Sequence, residues 1–313
     1  MKYSLNELYR VLKISKQAIH QYKKREDYFH LQLSELLIQV DSLREDHPGC
    51  GLEKMYKTLR PDFIGRDGFI AVFMSLGYRI KKIKNYVKTT IPTHIRFPNL
   101  IEGMCIYRKN QVWQTDITYF HLKERFFYII FIIDVYTRKI VGYKVSDNMR
   151  AEANIATLRQ ALRLERCSLN DLIHHSDRGG QYVDNNYLKI LSVNNIRVSM
   201  GLKAQENAYA ERINGTIKNE YLKNWEIKSF SDLKRKLKKA VNHYNMYRTH
   251  SSLPGEISPI EFEKKIVTLQ DQQRPKMHIF SENEIRSRGS VKGLVYEPEM
   301  AHYTHYCSIE YCA

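Results

Sequence analysis

The sequence predicts an α/β protein: a core of strands and helices preceded by a basic, all-helical region. Three observations lead there. Residues 126–135 form the longest apolar run, too short for a membrane helix and suited to a central strand. Around it, period-two and helical patterns alternate as far as Trp225. Ahead of it, residues 1–96 carry helical periodicity and many Lys and Arg side chains. The chain has 313 residues, 43% of them hydrophobic, enough for two or three domains and an ordinary core. Its 50 Lys and Arg against 34 Asp and Glu leave a formal charge of +16, which points to a polyanionic partner, most simply nucleic acid. The five cysteines are odd in number and irregularly spaced and no apolar leader precedes them, which suits a reducing cytoplasm. No window reaches the length of a membrane span.

Residues 1–46 read as a helix-turn-helix-like unit. Ser4 and Glu7 make a capping box opening a helix with Leu5, Leu8, Val11 and Leu12. Ser15 caps a second helix over 16–25, which presents Lys16, Gln17, Gln21, Lys23, Lys24 and Arg25 to a DNA groove. A third, amphipathic helix covers 30–46 and ends at Pro48 and Gly49. Residues 47–96 read as a second such segment, with helices over 52–59 and 66–74 and Gly77 as a C-terminal cap. Residues 78–96 contain Lys81, Lys82 and Lys84 and no acid, a pattern suited to phosphate binding. Residues 97–110, with Pro98, form a linker.

The core is expected over 111–265. Strands are predicted over 112–120, 126–134, 139–145, 171–175 and 196–200, and helices over 151–164, 182–191 and from Asn207 onward. A basic helix over 231–250 follows, lined inside by Leu233, Leu237, Val241 and Tyr244. The tail, 266–313, lacks periodicity. Its His302, His305, Cys307 and Cys312 do not have a standard zinc spacing.

Three acids carry the chemistry. Asp116 lies mid-strand and shares a face with Gln114 and Thr118. A carboxylate there is disfavoured unless it meets a cation or a donor. Asp177 follows a short apolar strand and precedes Gly179 and Gly180, which allow a turn at the strand's open end. Glu211 lies on a helix whose Ile213, Ile217, Tyr221 and Trp225 recur every four residues. It sits off that stripe, on the side of Asn207, Asn214 and Lys218. Alone, each acid reads as a turn, edge or surface residue. Together they can converge at one sheet edge, where only cations would make such a cluster tolerable. Oxygen ligands without His or Cys suit Mg²⁺ or Mn²⁺, and two such ions can drive phosphodiester chemistry. His174 and His175 read as core residues, and Trp113 and Trp225 as core anchors.

The segments Trp-x-x-Asp-x-Thr-Tyr from Trp113, His-Ser-Asp-Arg-Gly-x-Gln-Tyr from His175 and Asn-Ala-x-Ala-Glu-Arg-x-Asn-Gly-x-x-Lys from Asn207 resemble the three catalytic motifs of bacterial insertion-sequence transposases of the IS-three family, relatives of retroviral integrase. The resemblance continues through Tyr244, Asn245, Arg248 and His250 to Ser258, Pro259, Glu261 and Phe262, and covers roughly residues 48–265. It implies an RNase H-like core and a DDE transposase that cleaves and joins DNA strands with Asp116, Asp177 and Glu211 as catalytic and metal-holding residues. It also implies two Mg²⁺ ions, replaceable by Mn²⁺, and a homo-oligomeric synaptic complex on terminal repeats and target DNA. An upstream-frame product is a further expected partner, and the bacterial cytoplasm the expected location. Gln181, Asn207, Asn214 and Lys218 are expected DNA contacts, Lys218 foremost as a cation one face above Glu211. Arg248 either reaches a phosphate or caps the core. The sequence departs from the family in one place: 33 residues separate Asp177 from Glu211 where 35 are usual, which makes Glu206 a rival third acid. The alternative function is a catalytically inactive DNA-binding repressor derived from such an element; the presence of all three acids speaks against it.

Overall fold

The structure, a computed structural model, describes residues 5–80, 97–165, 169, 171–202, 204–279 and 296–297. The chain divides into two compact units, Met1–Lys82 and Ile83–Ala313. The expected DNA contacts Lys81, Lys82 and Lys84, the Ser4 cap and the His and Cys residues of the tail lie outside the described residues.

The first unit holds helices α1 (Leu5–Val11), α2 (Lys16–Asp46), α3 (Leu52–Leu59) and α4 (Arg66–Ser75). Ser15 caps α2 as expected, its hydroxyl accepting from the Ala18 amide at 3.0 Å. The sequence predicted separate helices over 16–25 and 30–46, but α2 is continuous. The intervening Glu26, Asp27, Tyr28 and Phe29 include no glycine or proline, so nothing interrupts the hydrogen-bond ladder. Leu36 and Val40 of α2 pack with Met55, Phe69 and Phe73 to form the unit's core. Gly77 adopts φ +85° just past α4, the left-handed conformation of a helix stop.

The second unit is built on β1 (Cys105–Ile106), β2 (Val112–Leu122), β3 (Arg125–Asp134), β4 (Ile140–Ser146), α5 (Ala151–Leu164), β5 (Ile173–Ser176), α6 (Asn185–Val193), β6 (Arg197–Met200), α7 (Ala208–Thr216), α8 (Phe230–Met246), α9 (Pro259–Val267), β7 (Lys276–His278) and β8 (Tyr296–Glu297). The main sheet has the order β4-β3-β2-β5-β6. β2, β3 and β4 are antiparallel neighbours, while β5 runs parallel to β2 and β6 parallel to β5. β3 is an interior strand, buried on both faces from Ile129 onward. Ile129, Phe131 and Ile133 meet Ile213, Leu237, Tyr244 and Phe262, whereas Ile130 and Ile132 meet Leu158 and Ala161 of α5 and Tyr187 and Leu191 of α6. A Cβ at Gly142 would lie 2.8 Å from the Thr157 carbonyl, so only glycine lets α5 approach β4 this closely.

Two boundaries differ from expectation. The predicted helix over 182–191 is a 3₁₀ turn, Gly180–Tyr182, followed by α6. Asp184 caps α6 by accepting from the Asn186 and Tyr187 amides and so sets a new start. The packed core also reaches beyond 111–265. β1 and β7 pair antiparallel, with Cys105 opposite His278, and Ile106 and Met277 are both fully buried. No helix among the described residues is long and apolar enough to cross a membrane.

Candidate active site

The sheet register brings the first two acids together. Thr115 of β2 lies opposite Ser176 of β5 in parallel pairing, so the next residues on the two strands are Asp116 and Asp177. β5 stops at Ser176, which leaves Asp177 at the carboxyl end of a parallel strand, where α/β sheets present functional groups. The Gly179 amide donates to Asp177 Oδ1 at 3.0 Å and fixes the turn, and the Gln181 amide lies beside Gly179.

The third acid arrives on α7, and Gln114 sets where that helix starts. Its side-chain carbonyl accepts from the amides of Tyr209 (3.1 Å) and Ala210 (3.3 Å), and its amide donates to the Glu206 carbonyl at 3.1 Å. Gln114 thus satisfies amides at the N-terminus of the Glu211 helix from within β2. Sequence reasoning placed Gln114 on the Asp116 face without seeing this role; the signal was a buried-face amide two residues from the acid. Further along α7, Asn214 donates to Asp116 Oδ2 at 2.7 Å. A π turn, Ile217–Tyr221, then widens the helix. Four-residue spacing drifts around an ordinary helix of 3.6 residues per turn; the wider turn keeps Ile213, Ile217 and Tyr221 all buried.

The three carboxylates feel one another. Burial raises Asp116 to about 8, and the charges of Asp177 and Glu211 push the same way, against the Ile117 amide and Asn214 hydrogen bonds that favour the ionised form. Glu211 is raised by partial burial and by Asp177. Lys218 is lowered by burial and by Lys223, while Asp116 favours its charge. Its ammonium lies 4.9 Å from the centre of the Tyr119 ring and has no ion pair among the described residues.

No three His, Cys, Asp or Glu side chains among the described residues already stand as a closed metal cage. The donor set still fits a hard divalent cation. It consists of carboxylate oxygens alone, and their mutual repulsion is the kind a cation relieves.

The remaining candidates separate. Glu206 is turned into its own loop, where Oε2 accepts from the Leu202 amide at 2.6 Å, and it does not figure among the charges acting on Asp116. Asn207 departs from the expected DNA contact: it is 2% exposed and its amide donates to the Thr115 carbonyl at 2.9 Å, so it fastens α7 to β2. Arg248 departs likewise. It is buried, and its guanidinium grips both oxygens of Glu220 at 2.7 and 2.8 Å, the core-capping alternative. His174 and His175 are buried and hydrogen-bonded to Tyr187 and Ser199. Trp113 is fully buried with its indole N–H on Asn110; Trp225 is partly exposed and faces Lys236.

Comparison with known proteins agrees with this layout. Two profiles of the integrase core domain match, one over residues 106–205 and the other over 194–259. The 31 kDa protein of insertion element IS600 from Shigella sonnei is 35% identical over 208 residues, which span 64% of this chain and 76% of that protein. Transposase InsF of insertion sequence IS3A from Escherichia coli K12 is 32% identical over 159 residues, 50% of this chain and 54% of InsF. Among solved structures, the HTLV-2 integrase catalytic core domain in complex with magnesium aligns with 53% of this chain and 99% of its own, at 18% identity and a TM-score of 0.41.

Proposed function

The chain belongs to the IS-three family of insertion-sequence transposases, DDE-type polynucleotidyl transferases that act on DNA and carry an integrase core domain, and on that premise we propose that Asp116, Asp177 and Glu211 are its catalytic triad. The observation that carries this reading is the convergence of the three acids: two meet by strand register, and all three are coupled through their charges. The pair of Mg²⁺ ions they would hold supplies activation of the attacking oxygen and stabilisation of the leaving oxygen at phosphorus. In cleavage, a water oxygen attacks the phosphorus at the element end, the bond to the 3′ oxygen breaks and a 3′-hydroxyl is freed. In joining, that hydroxyl attacks a target phosphodiester and releases the target's own 3′ oxygen. No bond to the protein forms in either step.

The chain's own residues orient and neutralise. Asn214 and the Ile117 amide fix the rotation of the Asp116 carboxylate. Gln114 fixes the start of the helix that carries Glu211. Lys218, a cation with no acid partner among the described residues and within electrostatic reach of Asp116, holds a non-bridging phosphate oxygen. Gln181, beside Asp177, contacts the flanking backbone. The two element ends are paired by a multimer of the chain, with the upstream-frame product as a further partner.

The test is strand transfer on a labelled duplex carrying the element's own end, with Mg²⁺ or Mn²⁺, for wild type, Asp116→Asn, Asp177→Asn and Glu211→Gln. Each variant is expected to lose cleaved and joined products in both metals while keeping its end binding. Wild-type yields from Asp116→Asn would overturn the assignment.

A further inference from the structure

We infer that the β2–β3 hairpin carries an aromatic platform for unpaired nucleotides next to the reacting phosphate, a deepening of the transposase reading that rests on it. β5 pairs with β2 only as far as Thr115, so from Asp116 onward β2 is hydrogen-bonded to β3 alone in the sheet. On this extension His121 lies directly opposite Phe126, and Tyr119 is the diagonal neighbour of Phe126. The three rings touch: Tyr119 and Phe126 have centroids 5.6 Å apart at 76°, and His121 and Phe126 have centroids 4.9 Å apart at 58°.

The arrangement is open to solvent. Phe126 is 48% exposed and His121 is exposed. A cross-strand ring pair that served only to hold the hairpin would gain more by being covered. Alternate residues nearer the strand's start on the same face, Trp113 and Ile117, are buried under α5 and α6, which do not extend over the hairpin end. Cations lie along the hairpin. Lys123 and Arg125 flank the turn, with Glu124 the one acid between them, and the Lys218 ammonium lies over the Tyr119 ring. Tyr119 is three residues from Asp116 along the strand, about 10 Å at the usual rise, and on the opposite face; Lys218, whose ammonium lies over the Tyr119 ring and is acted on by Asp116, joins the two at the open strand edge. Open aromatic faces beside phosphate-binding cations are the means by which proteins hold single-stranded DNA without reading its sequence. Because the same Lys218 reaches both Tyr119 and Asp116, the occupant is the frayed strand at the reacting end.

The test uses the full chain in metal-free buffer with a fluorescein-labelled oligo(dT) of about 20 nucleotides, and a duplex of equal length, read by anisotropy. Phe126→Ala is expected to bind the single strand about tenfold more weakly. Its duplex affinity should stay unchanged, and Phe126→Tyr should behave as wild type. Thermal melting confirms that the half-exposed substitution leaves the fold intact. Unchanged single-strand affinity in Phe126→Ala, an equal loss on duplex, or no oligo(dT) binding by wild type would each overturn the platform. Because binding is measured without metal, such a failure leaves the catalytic assignment standing, and failure of that assignment appears only in the strand-transfer variants.

Discussion

Asn214 donates its side-chain amide to Asp116 Oδ2 at 2.7 Å and so links the helix of one acid to the strand of another. Asn214 is 6% exposed and lies near the end of α7, away from the amides that Gln114 holds at the helix start. Asn214→Ala is expected to reduce strand transfer by about 10- to 100-fold, the usual effect of freeing a metal-holding carboxylate. The loss should shrink as Mg²⁺ is raised. A rate equal to wild type at every Mg²⁺ concentration would show that Asp116 needs no such support.

Glu206 and Glu211 are five residues apart and do different things. Glu206 Oε2 serves the Leu202 amide, while Glu211 acts on Asp116. Glu206→Gln is expected to retain strand transfer within about twofold and to lose about 1 kcal/mol of stability at the loop. Glu211→Gln should lose all products and keep its stability. The reverse pattern in the same gel assay would make Glu206 the third acid.

Gln114 is 1% exposed and makes three hydrogen bonds to backbone groups. Gln114→Ala leaves buried amides at the start of α7 without a partner, so urea denaturation should show a loss of about 2–3 kcal/mol. Strand transfer should fall further than this loss of folded protein explains, because Glu211 is displaced with the helix. Full activity in the folded fraction would contradict the positioning role.

The buried histidines set an acid limit. Burial depresses His174 to about 3 and His175 to about 4. Both are neutral in the folded chain, whereas an unfolded histidine binds a proton below about 6.5. The unfolded state therefore takes up more protons between roughly pH 6.5 and 4, and stability falls as pH drops through that window by up to about 1.4 kcal/mol per unit for each histidine. Asp116, raised to about 8, gains stability as pH falls and opposes this decline, so the histidine effect is read as a difference: the urea midpoint of His174→Gln should gain on that of wild type as pH falls from 7 to 5. A difference independent of pH over this range would refute it.

Arg248 and Glu220 form a buried, two-pronged ion pair, in which the carboxylate holds the guanidinium's pKa above its ordinary value against the opposing effect of burial. Glu220→Ala leaves an unpaired buried cation and is expected to cost about 3–5 kcal/mol. The double change Glu220→Leu with Arg248→Met should recover most of that. DNA affinity of the double variant should match wild type at every salt concentration, as fits a residue that fastens the core. A shallower salt dependence would return Arg248 to the DNA surface.

The acids were legible because their surroundings are local: a mid-strand carboxylate, a carboxylate at a strand end before two glycines, and a Glu off an apolar stripe. The alternation of β3 residues between two helical layers was equally legible from its unbroken apolar run. The roles of Asn207 and Arg248 were not. Each has a polar side chain on the expected side of its element, but its partner, the Thr115 carbonyl or Glu220, is distant in sequence, and only the fold shows the two together. The start of α6 was missed because Asp184 was not read as a cap. The motif Ser258-Pro259-x-Glu261, matched to the family, is also a complete capping box, with both reciprocal hydrogen bonds made.

The pairing of β1 with β7 has a mechanical consequence. Cys105, where the chain enters the pair, lies opposite His278, where it leaves, and the Ile279 amide continues the zipper onto the Met104 carbonyl at 2.9 Å. Entry and exit are therefore on the same side of an antiparallel clasp. Tension applied where the chain enters and leaves this pair peels its bonds open one at a time instead of shearing them together.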